Sequence, residues 1–142
     1  MKVETGIPMD NWHETGSTAA TAEALGFDGA LSFEIANDPF IPLALAAMAT
    51  ETIRLGTSIA LCFPRSPMTM ATSAWDLHLQ SKGRFTLGLG TQVKGHNVRR
   101  FSVPWSPPQP RYVSTCNLSM LSGDAGRWAK NLITMESTIV LP

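Results

Sequence analysis

The chain has 142 residues, 44% of them hydrophobic and 15% charged, with eleven Lys plus Arg balancing eleven Asp plus Glu. A soluble chain of this length buries roughly two thirds of its unfolded surface in one ordinary domain, so neither a disulfide framework nor a metal is needed to explain folding. Neutral charge argues against nucleic acid or an anionic membrane as partner, and abundant aliphatic residues argue against general disorder.

In chain order, Val3 to Ile7 reads as a first strand. Asn11 with Glu14 three places on has helix-start chemistry, and that helix runs through Ala19, Ala20 and Ala22 to Leu25, where Gly26 supplies a left-handed stop. Gly29 to Phe33 is a second strand. Asp38 offers an N-cap and Pro39 a first helical residue for a helix from Phe40 to Glu51; Pro42 lies early enough to lose no internal hydrogen bond. Ile53 to Leu61 is a third strand, and Ser66-Pro67 opens a helix whose Ala71, Ala74, Trp75 and His78 share one face before the stop at Lys82-Gly83. A fourth strand, Arg84 to Leu89, ends in Gly90. Strand starts near residues 3, 29, 53 and 84 repeat at the length of a βα unit, which implies a parallel sheet with right-handed crossovers.

Beyond Val103 the texture changes. Pro104, Pro107, Pro108 and Pro110 form a turn-rich linker, and Tyr112 to Pro142 shows no placeable strand-helix unit. The division is therefore a folded part, residues 1–111, and an irregular tail, residues 112–142. Met1 to Pro8 lacks the apolar core of a signal peptide, and the longest apolar run, Ile41 to Ala49, is too short to span a bilayer. Cys62 and Cys116 form neither a CxxC nor a metal-ligand pattern, so a cytoplasmic location is expected.

No nucleophile elbow, P-loop or HExxH occurs, and His13, His78 and His96 are too scattered to suggest a metal. Gly88-Leu89-Gly90 begins like a dinucleotide loop, yet two glycines after a strand equally describe tight packing at a strand end.

A set of segments in order is more specific: Gly26-Phe27-Asp28-Gly29, Asp38-Pro39-Phe40-Ile41-Pro42-Leu43, Arg54-Leu55-Gly56-Thr57, Phe63-Pro64-Arg65-Ser66-Pro67, Ala74-Trp75-Asp76-Leu77 and Ser81-Lys82-Gly83-Arg84-Phe85-Thr86-Leu87-Gly88-Leu89-Gly90. Together with His96, Arg99-Arg100-Phe101 and Pro104-Trp105 they resemble the luciferase-like oxidoreductases, in particular the class dependent on the deazaflavin coenzyme F-420. The resemblance implies an α/β fold, the N-terminal half of a (β/α)8 barrel, with ligands at the carboxyl ends of the strands. Those ends are Pro8 to Asp10, Glu34 to Asp38, Ser58 to Arg65 and Thr91 to His96.

The resemblance further implies a non-proline cis peptide at Ser58-Ile59 backing the ring, with Gly90, Thr91 and Gln92 along the cofactor. Glu34 is implied as the catalytic group that orients substrate or moves a proton. Alternatives stay beside these: an ordinary strand residue for Ser58, a capping or salt-bridge role for Glu34, a plain loop role for Gln92, and for Arg65 a phosphate, Asp38 or, ahead of both, plain solvation at the surface. Reduced F-420 passes a hydride to an electron-poor small-molecule substrate, whereas FMN in a similar pocket activates oxygen; a non-catalytic half-barrel fragment is the reading from another class. No metal is implied, and family members commonly form homodimers.

A full barrel needs about 250 residues. Read two nucleotides out of phase, codons for Val113 to Pro142 permit a string similar to the family's next helix and strands, so the tail is expected to be out of frame. Exposed strand edges, an uncovered apolar lining and weak or absent deazaflavin binding are the corresponding expectations for the 142-residue chain.

Overall fold

Local signals close most helices where the sequence places them. In the computed structural model, which describes residues 1–111, the elements are β1 (Glu4–Gly6), α1 (Trp12–Ala24), β2 (Gly29–Ser32), α2 (Phe40–Ala49), β3 (Arg54–Thr57), β4 (Ala60–Leu61), α3 (Pro67–Gln80), β5 (Phe85–Thr86), β6 (Leu89–Gly90) and α4 (Lys94–Arg99). The expected irregular or out-of-frame tail, residues 112–142, lies outside the described residues. Helix α1 ends in a Schellman turn: Gly26 sits at φ +80°, its N–H donates to the Glu23 carbonyl, and the Phe27 N–H donates to Ala22 at 3.1 Å. Helix α3 ends the same way, with Lys82 left-handed and the Gly83 N–H on the His78 carbonyl at 2.8 Å.

At the other ends, Asp38 Oδ1 accepts the Phe40 N–H at 2.8 Å and Pro67 begins α3. The start of α1 differs from expectation. Asn11 holds the N-cap position without a side-chain cap, and the buried Thr15 hydroxyl instead reaches the Pro8 and Asn11 carbonyls at 2.9 and 3.0 Å. The bond to Pro8 ties the first helical turn to the connection that leaves β1.

Strands β1, β2, β3 and β5 form one parallel sheet in that order. Thr5, Ala30, Leu55 and Phe85 lie in one register row. Ala30, Leu55 and Phe85 are buried there with Ala19, Ala22, Leu43, Ala46, Ala74 and Leu77 of the helices. Small residues on the helices let α1, α2 and α3 approach the sheet closely, so a single layer of helices covers one face. The neighbouring row, Glu4, Gly29 and Arg54, points to the other face, where Glu4 and Arg54 pair across the glycine. That lining is thus partly ionic, whereas an apolar one is expected from the sequence.

The expected third and fourth strands are each broken. Between β3 and β4 lies the Ser58–Ile59 peptide, which is cis, and beyond it β4 pairs with β6 in a small parallel sheet of its own. The break has a side-chain cause. The Thr57 hydroxyl donates to the Gly88 carbonyl at 2.7 Å and accepts the Gly88 N–H at 2.9 Å, bonds that an unbroken ladder would give to the main chain. A Cβ on Gly88 would stand 2.1 Å from the Thr57 carbonyl oxygen, and one on Gly90 would stand 2.1 Å from Ile59 Cδ1. Both glycines of the Gly88-Leu89-Gly90 segment therefore serve close packing between neighbouring strands.

Two charged side chains secure the turn from α2 into β3. Glu23, at the end of α1, accepts the N–H groups of Glu51, Thr52 and Ile53, the last at 2.7 Å, and the Thr52 hydroxyl at 2.8 Å. Arg84 donates to the carbonyls of Ala47, Thr50, Ile53 and Ser81 and to the Thr50 hydroxyl, satisfying carbonyls that the end of α2 leaves open. Burial pushes the Glu23 carboxyl up, but the donors of Ile53, Thr52 and Glu51 outweigh it and hold the group at about 2.

Because the Glu23 pKa is lowered on folding, its stabilisation is complete above the ordinary value of 4.5 and is lost as pH falls from there towards about 2. Glu23→Gln is expected to lower the thermal midpoint by several degrees at neutral pH, with the gap to the parent chain closing in acid. Gly88→Ala meets rigid backbone and is expected to cost about 3 kcal/mol in urea unfolding, while Gly90→Ala meets the flexible end of Ile59 and costs less. Equal and small losses at the two glycines would contradict the packing account.

Candidate functional site

The carboxyl ends of the strands bring Phe33 and Glu34 after β2, Ser58 and Ile59 after β3, and Thr91 and Gln92 after β6. Phe33 and Ile59 follow adjacent strands, and each stays 37% exposed. The Phe33 ring lies over Gly6 of β1, and Ile59 lies against Gly90 of β6. Large apolar groups left uncovered at strand ends are suited to receive a flat ligand.

Ser58 is held through its main chain, its N–H donating to the Ser32 carbonyl at 2.7 Å. Thr91 and Gln92 form a turn with Gln92 at φ +58°. Gln92 folds its own Oε1 back onto the Val93 N–H at 2.9 Å, and its Nε2 makes no bond among the described residues. The turn is held from beneath by Asn97 of α4, whose Nδ2 donates to the carbonyls of Thr91, Gln92 and Val93 at 2.9, 3.2 and 3.3 Å. Asn97 is 1% exposed and its Oδ1 has no partner among the described residues. Sequence reasoning missed Asn97: it stands in a short, mostly polar segment, with no periodicity to mark it as buried.

Glu34 is nearly buried and fully engaged. Its Oε2 accepts the Leu61 N–H at 2.7 Å, and both oxygens accept from Arg65 Nη1 at 2.5 Å. Arg65 Nη2 reaches Asp38 Oδ2 at 3.0 Å, and the guanidinium lies 5.6 Å from the centre of the Phe40 ring. Burial lowers the Arg65 pKa, but the hydrogen bonds and charges of Glu34 and Asp38 outweigh it and hold it above its ordinary value. Of the alternatives open from sequence, the ion pair with Asp38 is formed, and Glu34 shares it.

Thr57, also missed from sequence, positions the strand break through Gly88 as described above. His78 stacks on Trp75, with ring centres 5.7 Å apart, away from these strand ends. No group of three His, Cys, Asp or Glu residues is placed to hold a metal among the described residues, and no described helix is long and apolar enough to cross a membrane. A separate hollow of about 270 Å³ lies between β1 and α1, lined by Thr5, Ser17, Thr18, Thr21, Ala22, Leu25 and Phe27, and includes none of the strand-end residues.

The comparisons with known proteins bear on the family and the fold. The sequence profile described as luciferase-like monooxygenase matches residues 2–116. An uncharacterized protein of Mycobacterium tuberculosis is 45% identical over 111 residues, covering 78% of this chain and 32% of the relative. A second protein of that organism, provisionally named a coenzyme F-420-dependent oxidoreductase, is 38% identical over 112 residues, 72% of this chain and 32% of its own length. The chain thus spans about a third of the length of these relatives.

Among solved structures, the monooxygenase RslO1 of Streptomyces bottropensis superposes with a TM-score of 0.75 at 22% identity, over 84% of this chain and 42% of the other. The oxygenating constituent of 3,6-diketocamphane monooxygenase from Pseudomonas putida, in complex with FMN, gives 0.70 at 17% identity, over 81% and 38%. The coenzyme F-420-dependent tetrahydromethanopterin reductase of Methanopyrus kandleri gives 0.62 at 28% identity, over 74% and 31%. The parallel βα units are accordingly part of a TIM-barrel fold, and the chain belongs to the luciferase-like monooxygenase family.

Proposed function

We propose that the strand-end site serves an oxidoreductase reaction in which coenzyme F-420 exchanges a hydride with a small organic substrate. The observation that carries this reading is the pair of half-exposed apolar side chains, Phe33 and Ile59, on adjacent strand ends beside the Thr91–Gln92 turn. The choice of deazaflavin draws on the relatives: the Mycobacterium tuberculosis protein is named for F-420, and so is the Methanopyrus kandleri reductase.

The residues present fit a flat ring with a polar edge. Ser58 and Ile59 would lie behind the ring, with Gly90 leaving room for Ile59. Gln92 and the Thr91 turn would meet the polar edge, the Gln92 Nε2 donor having no protein partner among the described residues. Reduced deazaflavin supplies a hydride to an electron-poor carbon, and the protein supplies placement and exclusion of water. Asn97 keeps the turn from moving when the edge is bound. Glu34 borders the site, with both its oxygens bonded to Arg65 and one of them also to the Leu61 N–H.

Four strand ends give only part of the surface that a whole barrel mouth presents, so the 142-residue chain is expected to bind F-420 weakly and to turn over little or no substrate. In a fluorescence titration, a dissociation constant of roughly 100 μM, about −5.5 kcal/mol, is the expected scale. Ile59→Asp, which puts a carboxylate behind the ring, is expected to weaken it at least tenfold. Stronger binding of FMN than of F-420 would overturn the choice of cofactor in favour of a flavin monooxygenase. Failure to bind either would support a non-catalytic half-barrel.

A further inference from the structure

A strand in the interior of a parallel sheet gives alternate N–H groups to its two neighbours. In β4 and at the residue after it, the N–H groups of Ala60 and Cys62 go to Gly88 and Gly90, on the β6 side, at 2.8 and 2.9 Å. The Leu61 N–H points the other way, towards β2, but β2 has ended at Ser32. In place of a strand carbonyl it meets the Glu34 carboxylate at 2.7 Å. The Leu61 carbonyl is treated similarly, accepting from Arg65 Nη1 at 3.3 Å. One acid and one base thus stand in for the missing acceptor and donor on that edge of β4.

Asp38 extends the arrangement. Its Oδ1 caps α2 through the Phe40 N–H, and its Oδ2 takes Arg65 Nη2 at 3.0 Å. The start of α2, the end of β2 and the edge of β4 are therefore joined through one guanidinium. Three of the about four lone-pair positions of the Glu34 carboxylate are taken by Arg65 and the Leu61 N–H. The geometry suits holding a backbone better than relaying protons.

We propose that Glu34 and Arg65 are positioning residues that together replace the strand β4 lacks on its β2 side, holding Ile59 and, through β6, the Thr91–Gln92 turn in register. The statement about backbone order stands by itself. Its consequence for cofactor binding rests on the F-420 reading above.

The test is hydrogen exchange of the Leu61 amide in the full 142-residue chain, read residue by residue, alongside F-420 titration. Glu34→Ala and Arg65→Met are each expected to speed Leu61 exchange about tenfold or more, with the slowest core amides such as Leu55 unchanged. Glu34→Gln, which retains an acceptor oxygen, is expected to restore most of the protection and most of the F-420 affinity. The double variant Glu34→Ala/Arg65→Met is expected to be little worse than either single change. Unchanged Leu61 exchange in Glu34→Ala and Arg65→Met overturns the proposal. So does a Glu34→Gln chain as impaired as Glu34→Ala, since loss of the ionisable group would then matter more than the acceptor. Should Glu34→Ala not fold, Arg65→Met and Glu34→Gln decide the same question. If the parent chain binds no F-420, the cofactor reading fails, while the exchange measurement still decides the positioning role.

Discussion

Between Thr57 and Gly88 there is no space for a Cβ, and much of the site depends on that contact. Two neighbouring parallel strands come together there through a hydroxyl bonded to both main-chain groups of one glycine. Ordinary ladder geometry is lost for two residues in each strand and resumes as the β4–β6 pair. The break leaves Ile59 exposed at a strand end while its neighbours Ala60, Leu61 and Cys62 are buried. Everything at the strand ends is then a matter of fixing a backbone that no longer has a regular partner. Glu34 and Arg65 do so on one side of β4, β6 does so on the other, and Asn97 holds the turn beyond β6.

The two ends of the sheet divide the work. At the amino ends, Glu23 and Arg84 collect main-chain donors and acceptors around the turn from α2 into β3, an arrangement of capping and stability. At the carboxyl ends, apolar side chains stay exposed and polar side chains are spent on holding loops in shape. This division is the usual one in α/β barrels, where the carboxyl face carries chemistry and the opposite face carries stability. The face of the sheet away from the helices bears Leu31 beside the Glu4–Arg54 pair, so it is neither a simple apolar core nor an ordinary solvated surface. The relatives are about two and a half times the length of this chain, and such a face in a closed barrel would point inward.

What the sequence makes legible is what it encodes locally. Gly26 ends α1, Asp38 caps α2, and Pro67 opens α3, each within a few residues of the chemistry that causes it. The βα period and the order of motifs were enough for the fold and the family. The strand breaks were visible only partly: the resemblance implied the Ser58–Ile59 peptide, but periodicity read each strand as continuous. Thr57 with Gly88, and Glu34 with Arg65, are contacts between residues 31 positions apart, and no local pattern announces either. Asn97 was hidden for a different reason, since its burial comes from a turn whose shape depends on Asn97 itself.

The central claim is that a flat cofactor is received at the carboxyl ends of the strands. Methyl and amide NMR spectra of the 142-residue chain, recorded as oxidised coenzyme F-420 is added, test it most directly. Ring-current shifts are expected at Ile59 and at the Thr91 and Gln92 amides, with Leu25 and Thr21 beside the separate hollow unmoved. Shifts confined to that hollow, or no ring-current shift at Ile59 once the added coenzyme is bound, would contradict the account.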